Sequence, residues 1–406
     1  MIAKMKSFSI NPYNAWIGFL LVLILAGVTS GIFVFIRGLV ITNLTDQTPW
    51  GLWITLDLSS IALSAGAFTL CAGVYLLRLK QFKTLARTAA FIGLTGYGMA
   101  MLFLLLDIGR PDRFYNGFIF WNKHSVLWEV IMCIGLYFMV LTMENLPNFA
   151  RWRWLQDRFP KLVGWMSQTH DNAPYLAVAG LVLSILHQSS LGATYGVLIS
   201  RPIWYRPGLA GLFFVSAIAG GIAMTLMVTV IAGMIRPGLQ IEEKTISQVA
   251  RFLGWALVVY LYLRFWDLFA MTYTIQPGRT EGFDLLTRGT LSFNLWFGEI
   301  LFGILIPAII LLKGSYRQNK LVFLAALMMV VGGLIAYRWD TNMVGQMVVQ
   351  SPLSVVILPR YTHYTPSLVE VISSAGIIAF GLFTITFGIR YLHLMEQMPF
   401  AKNKIN

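Results

Sequence analysis

Ten apolar stretches, each about as long as a bilayer core requires, run through the chain at roughly 16–41, 51–77, 86–107, 124–145, 174–198, 209–234, 249–275, 290–313, 320–338 and 367–392. A hydrocarbon core needs about 20 apolar residues per helix. Lipid offers no partner to an open backbone, so each stretch is expected to be a membrane-crossing helix. Asp, Glu, Lys and Arg make up only 12% of the 406 residues, about half the share usual in a soluble domain. That excludes a disordered chain, a secreted disulfide scaffold and an ordinary soluble enzyme. The first stretch follows Lys4 and Lys6. Its length and the lack of a cleavage site read as an anchor helix rather than a signal peptide.

The distribution of charge sets the expected orientation. With the N-terminus placed in the cytoplasm, most of the 30 Lys and Arg fall in inner segments, as the positive-inside rule requires. Both termini are therefore expected to be cytoplasmic, in a cell inner membrane. The net charge of +13 is then accounted for by topology and the lipid surface, and no nucleic-acid partner is expected. Cys71 and Cys133 lie far apart, and there is no CxxC or Cys/His cluster. The sequence thus has no ligand set for an iron–sulfur cluster, a c-type haem or structural zinc. A b-type haem needs facing axial ligands. Of the five histidines only His124 and His187 sit in or near outer-side spans, at different depths, so no haem is expected.

An ionisable side chain inside a span costs at least a few kcal/mol and normally faces protein or water. Asp57 falls about 10 Å into its span from the outer side, Glu129 about 8 Å, Asp267 about 12 Å and Glu299 about 13 Å, at the helical rise of 1.5 Å per residue. Asp107 ends the third span, Glu370 opens the tenth, and His187 sits near the middle of the fifth. All the carboxylates lie in the outer half, and the inner half reads as nearly bare. A transport path would need polar groups at several depths. An outward cluster with one mid-depth histidine suits a quinone, which takes two electrons and two protons while its tail stays in lipid. Its carbonyls need a donor such as His, Tyr or a protonated carboxyl, and a carboxyl removed from water relays protons more readily.

Structural readings stand beside the functional ones. Arg264 and Asp267, three apart, share a helix face and read equally as an ion pair. Asp57 with Ser59 and Ser60, and His187-Gln188-Ser189-Ser190, read equally as polar glue between helices. Asp107-Ile108-Gly109-Arg110-Pro111 also fits a helix exit turn. Gly27 and Gly31 form a GxxxG, usually a packing seam. Spans 2–5 and 6–9 begin on the same side, and Asp107 with Trp128-Glu129 echoes Asp267 with Trp296 and Glu299, a weak parallel repeat.

Several motifs in combination carry a resemblance: Pro49-Trp50-Gly51-Leu52-Trp53, Asp107-Ile108-Gly109-Arg110-Pro111, Leu186-His187-Gln188-Ser189-Ser190-Leu191-Gly192, Trp204-Tyr205-Arg206-Pro207, Phe213 to Gly221, Arg264 with Asp267, and Tyr364-Thr365-Pro366-Ser367 with Glu370. Over nearly its whole length the sequence resembles the NrfD/polysulfide reductase membrane-subunit family. The similarity is to the ten-helix branch that includes membrane subunits of HybB-type hydrogenases, the Dsr and Qrc complexes and alternative complex III.

The resemblance implies an all-α integral membrane fold with two four-helix bundles, helices 2–5 and 6–9, flanked by helices 1 and 10. It divides the protein into an anchor helix (1–45), a first bundle with the quinone site (46–200), a second bundle (201–340) and an outer loop with the last helix (341–406). It implies exchangeable menaquinone or ubiquinone, no bound haem, and a ferredoxin-like iron–sulfur subunit outside, with further redox subunits beyond it. Its polar site positions match Asp107, Glu129 and His187, read as the catalytic set. Arg110, Trp53 and His124 are added as quinone contacts, and Asp57, Arg264, Asp267, Glu299 and Glu370 as a proton path or charge network. The expected function is that of a quinone-reactive membrane subunit of a respiratory oxidoreductase. A secondary transporter and a structural anchor without a quinone site are the alternatives.

Overall fold

A computed structural model of the protein describes residues 11–169, 173–235, 242–350, 359–392 and 394–395. Lys4, Lys6, His170, Arg236, His393, Lys402 and Lys404, which entered the charge and histidine readings, lie outside them. Among the described residues ten helices are long and apolar enough to cross a membrane. They are α1 (Pro12–Arg37), α2 (Leu52–Tyr75), α3 (Lys80–Asp107), α4 (Val126–Phe149), α5 (Ala173–Gly196), α6 (Gly208–Ile235), α7 (Glu243–Tyr273), α8 (Asn294–Leu312), α9 (Lys320–Met347) and α10 (Leu368–Tyr391). A short antiparallel ladder, β1 (Val348–Gln350) with β2 (Pro359–Tyr361), lies in the α9–α10 connection. The protein is a multi-pass, all-α integral membrane protein.

The helix α2 is the hub. It packs on α3, α5, α6, α9 and α10. Helix α3 also meets α4, and α4 meets α5. On the far side of α2, α6 packs on α7 and α9, and α8 lies against α7 and α9. Helices α1 and α10 pair with each other, and α10 rests on α3. Small residues permit these approaches, because lipid tails give apolar helices no reason to associate beyond close packing. A Cβ on Gly27 would stand 2.5 Å from the Cα of Gly376, so the α1–α10 seam closes backbone to backbone, as the GxxxG spacing anticipates.

Two helices depart from regular winding. Helix α2 is interrupted between Leu63 and Gly66. Gln188 on α5 donates from Nε2 to the Ile61 carbonyl at 3.0 Å, just before the interruption. A backbone acceptor loosened in the bilayer is thus met by a neighbouring side chain. Helix α8 is wound as a wider π-helix over Asn294–Leu305. Pro307, at the start of its regular last segment, has no N–H to return to the preceding turn, and such widened turns gather at functional sites.

The ninth span, read from hydropathy as ending at 338, continues as helix to Met347. Residues 340–347 are all buried, so this part of the expected outer loop is protein interior. Asn342 Nδ2 donates to the carbonyls of Trp50 (2.9 Å) and Gly51 (3.2 Å), and Gln346 Nε2 to Trp50 (2.8 Å). Spaced i,i+4, the two amides occupy one helix face and bond the segment that leads into α2. Trp204 packs its ring against Gly345 and donates to the Thr341 carbonyl at 2.6 Å. These bonds replace the lipid contact that an apolar span would use, which is why hydropathy fades before the helix ends.

Candidate functional site

On the inward face of α5, Ser184 and His187 are one turn apart and both wholly buried. Tyr97 on α3 and Tyr137 on α4 face them. The Tyr97 ring lies 5.7 Å from the His187 ring and 4.7 Å from the Tyr137 ring, edge-on to the latter. Ser184 sits beside both tyrosines. Among the described residues neither ring nitrogen of His187 has a hydrogen-bond partner, nor do the Tyr97 hydroxyl, Ser184 Oγ or Asp57 Oδ1. Buried polar atoms are normally paired, and each orphan in an apolar interior costs about 1–3 kcal/mol. This group holds donors and acceptors that the protein itself does not use. A ligand with carbonyl or hydroxyl oxygens fits that set. Gln188, next in sequence, is the residue that ties α5 to α2, so the polar-glue reading of this motif belongs to Gln188 and not to His187.

The carboxylates are distributed over three places. Asp57 on α2 and Asp107 on α3 are near enough to feel each other's charge, as are Asp107 and Glu370 on α10, with no hydrogen bond between them among the described residues. Glu370 is itself well satisfied. It accepts from the backbone N–H of Asn43 (3.2 Å) and Ser367 (2.8 Å) and from the Tyr364 hydroxyl, forming with Ser367 the capping box of α10. The Tyr364 hydroxyl also accepts from Leu52 N–H at 2.8 Å.

Glu129 is half-buried in the first turn of α4, which Ser125 caps. There its charge suits the helix N-terminus. It interacts with Cys133 one turn on. Among the described residues no hydrogen bond or ion pair links it to His187 or Asp107.

Trp53 points towards α10, donating from Nε1 to Ser373 Oγ at 3.0 Å within an apolar cluster of Val34, Phe103 and Leu106. His124 is exposed in the α3–α4 connection. Arg110 is exposed and paired with Asp112 at 3.2 Å. Its hydrogen bond holds the Asp112 carboxyl below the ordinary carboxylate range.

The third place is between α7 and α8. Arg264 donates from Nε and Nη2 to the two oxygens of Glu299, at 2.9 and 3.0 Å, and from Nη1 to Asp267 at 2.7 Å. Tyr260 donates to Glu299 at 2.7 Å, and Arg206 reaches Asp267 at 3.3 Å. Burial pushes the Arg206 guanidinium down from its usual pKa, while Asp267 pulls it back up. The pair that spacing suggests, Arg264 with Asp267, is present, and Glu299 sits in the π-wound part of α8.

Several polar residues went unread in the sequence. Arg338 is fully buried, its guanidinium 3.7 Å over the Phe213 ring, donating to the Phe213 carbonyl and Ser216 at 3.1 Å. Asp340 is also buried and accepts from Asn294 at 2.7 Å. Tyr195 donates to Asn342 at 3.0 Å. Near the other end of α4, Glu144 lines a cavity with Tyr75 and Arg87, so the inner half of the first helices is not bare. The signal for Arg338, Asp340 and Asn342 was a polar series continuing in helical register past the apolar stretch. Tyr97 and Tyr137 carried no signal that separates them from ordinary core aromatics.

A family model described as polysulphide reductase, NrfD, matches residues 40–350. The sequence is 32% identical over 400 residues to the integral membrane subunit of menaquinone reductase from Nitratidesulfovibrio vulgaris, covering 96% of this protein and 93% of that one. It is 24% identical to the integral membrane subunit of an Hdr-like menaquinol oxidoreductase from Archaeoglobus fulgidus, over 93% of this protein and 94% of that one. The NrfD homolog from Haemophilus influenzae is 23% identical over 75% of this protein and 97% of its own length. With a matched region that takes in most of its length, this protein belongs to the NrfD polysulphide reductase family.

Proposed function

We propose that this protein is the quinone-reactive integral membrane subunit of a respiratory oxidoreductase, exchanging electrons between the quinone pool and an iron–sulfur partner. The observation that carries the reading is His187, wholly buried with both ring nitrogens free of partners among the described residues, beside the equally unpartnered Tyr97 hydroxyl. The substrate is menaquinone or ubiquinone, and the names of the relatives favour menaquinone. His187 and Tyr97 hydrogen-bond the ring oxygens. Asp57 and Asp107 lead protons away towards the outer surface, and Glu129 is a second exchange point there. The charge network Arg264, Asp267, Glu299 and Glu370 belongs to a proton path or to the frame that supports one. Residues 46–200 form the quinone-bearing unit and 201–340 the second.

The protein holds no cluster of its own in this reading, so electrons cross to a ferredoxin-like subunit on the outer face, near 108–123, 199–208 and the loop that follows α9. Both termini lie in the cytoplasm, in the inner membrane. The test is electron transfer between quinone and partner in the intact complex. His187→Ala and Glu129→Gln are expected to lower it, and an unchanged rate in the His187 variant would overturn the site.

A further inference from the structure

Along the first turns of α7 runs a groove of about 500 Å³, lined by Lys244, Ser247, Gln248, Arg251, Phe252 and Trp255. Spacings of three and four place these side chains on one helix face. Lys244 and Arg251 are exposed, and among the described residues neither has a hydrogen bond or an ion pair. A third cation arrives from the α8–α9 connection. Arg317 donates from Nη2 to Ser247 Oγ at 3.2 Å and from Nη1 to the Leu311 carbonyl. Both acceptors are neutral, so the bonds fix its charge against α7 without cancelling it. Its Nε is buried with no acceptor among the described residues, and Arg251 stands close enough to repel it. Residues 311–323 hold no Asp or Glu. Glu242 and Glu243, which lead into α7, are exposed and form no ion pair among the described residues, and Glu242 lines a different cavity. Holding like charges together at the edge of a low-dielectric slab is unfavourable unless an anion joins them.

The rest of the groove identifies what carries that anion. Phe252 and Trp255, both about half exposed, form its wall from Arg251 onward into the span. The exposed apolar row continues along α7 through Val259, Tyr262 and Trp266. From Lys244 to Trp255 the helix advances about 16 Å at 1.5 Å per residue, which takes in the headgroup layer and the first part of the hydrocarbon. Aromatic side chains favour that level. One end of the groove is therefore cationic and the other apolar, in the order that an amphiphile standing in the membrane presents its own parts. A soluble anion uses only the basic end, and an acidic segment of another protein leaves the aromatic wall in lipid. A phospholipid uses both, with its phosphate among the cations and its acyl chains along Trp255 and Val259. Basic recesses between membrane helices are known to take such headgroups.

We propose that this groove binds the phosphate of an anionic phospholipid, held by Lys244, Arg251 and Arg317. The site is distinct from the His187 group and does not depend on how that group functions. The test uses the purified protein in a neutral detergent, depleted of lipid. Its thermal unfolding is followed with added phosphatidylglycerol, phosphatidylcholine or inorganic phosphate at equal concentration. Mass spectrometry under native conditions counts the lipid retained. Phosphatidylglycerol is expected to raise the midpoint by several degrees and to stay bound, and phosphatidylcholine and phosphate to do much less. Lys244→Gln/Arg251→Gln changes two exposed side chains that have no partner to lose, so the fold should stand while most of the response disappears. Arg153→Gln/Lys161→Gln removes the same charge from exposed positions in the α4–α5 connection and should keep the response. A native-like response in the first variant overturns the site, and so does an equal loss in the second, which would assign the effect to overall basic charge. Inorganic phosphate matching phosphatidylglycerol overturns the lipid as the ligand.

Discussion

Arg264 and Glu299 are joined by two parallel hydrogen bonds, 2.9 and 3.0 Å long, across α7 and α8 with both side chains essentially excluded from solvent. Such a pair is costly to bury and costlier to halve. Arg264→Met is expected to destabilise the protein by about 3–5 kcal/mol, because buried Glu299 loses its only cation and keeps just the Tyr260 hydroxyl among the described residues. Pairing it with Glu299→Leu should recover most of that loss, since an apolar pair of similar volume is often as stable. Thermal unfolding of the two single variants and the double variant measures the coupling. A double variant that is stable yet slow in quinone-linked turnover would place the pair on the proton path.

Tyr97→Phe separates binding from folding. The hydroxyl has no partner among the described residues, so its removal should leave the unfolding midpoint nearly unchanged. If it bonds the quinone, affinity should fall by roughly the worth of one hydrogen bond, about 1 kcal/mol or several-fold. Quinone titration of the intact complex reads the affinity, and an unaltered titration curve with unaltered stability would remove Tyr97 from the site.

Asn342→Leu should weaken the protein without touching the quinone. Its amide bonds the carbonyls ahead of α2 and accepts from Tyr195. Losing it removes a donor from those carbonyls and leaves the buried Tyr195 hydroxyl without its acceptor, at about 1–3 kcal/mol. The check is the unfolding midpoint alongside the rate of the folded fraction, which should stay close to native.

Orientation has a direct test. Cys71 and Cys133 are buried, so a membrane-impermeant thiol reagent should spare the native protein. Arg113→Cys and Lys161→Cys place thiols at exposed positions in the α3–α4 and α4–α5 connections. In intact cells stripped of any outer barrier, the first should label and the second should not. The reverse pattern would invert the topology and move the partner to the other face.

The ten spans were legible because hydrophobic length is a strong local signal that bilayer thickness imposes directly. The end of α9 was not, because residues 340–347 trade lipid for Trp50, Trp204 and Tyr195, contacts that no local window contains. The same limit applies to the site. His187, Asp57 and Asp107 stand out in sequence as polar groups in apolar surroundings, and the structure buries the first two and half-buries Asp107. Their grouping was less visible. Asp57 and Asp107 feel each other's charge, as do Asp107 and Glu370, Glu129 has no link to His187 or Asp107 among the described residues, and Trp53 faces α10, because helix rotation is set by packing rather than by depth. Tyr97 and Tyr137 were invisible for a simpler reason: an aromatic residue in a span looks the same whether its hydroxyl serves a ligand or only fills space.

The backbone contact between Gly27 and Gly376 also bears on how the molecule is made. Helix α1 leaves the ribosome before α2 to α10, yet the helix it packs on most extensively is α10, the last of them. Until α10 is inserted, Gly27 of α1 has only lipid or the insertion machinery in place of Gly376, while the helices between them assemble around α2. The docking of α1 and α10 onto α3 is therefore a late event in biogenesis, and a polypeptide interrupted before α10 leaves its first helix without its partner, exposed to membrane quality control.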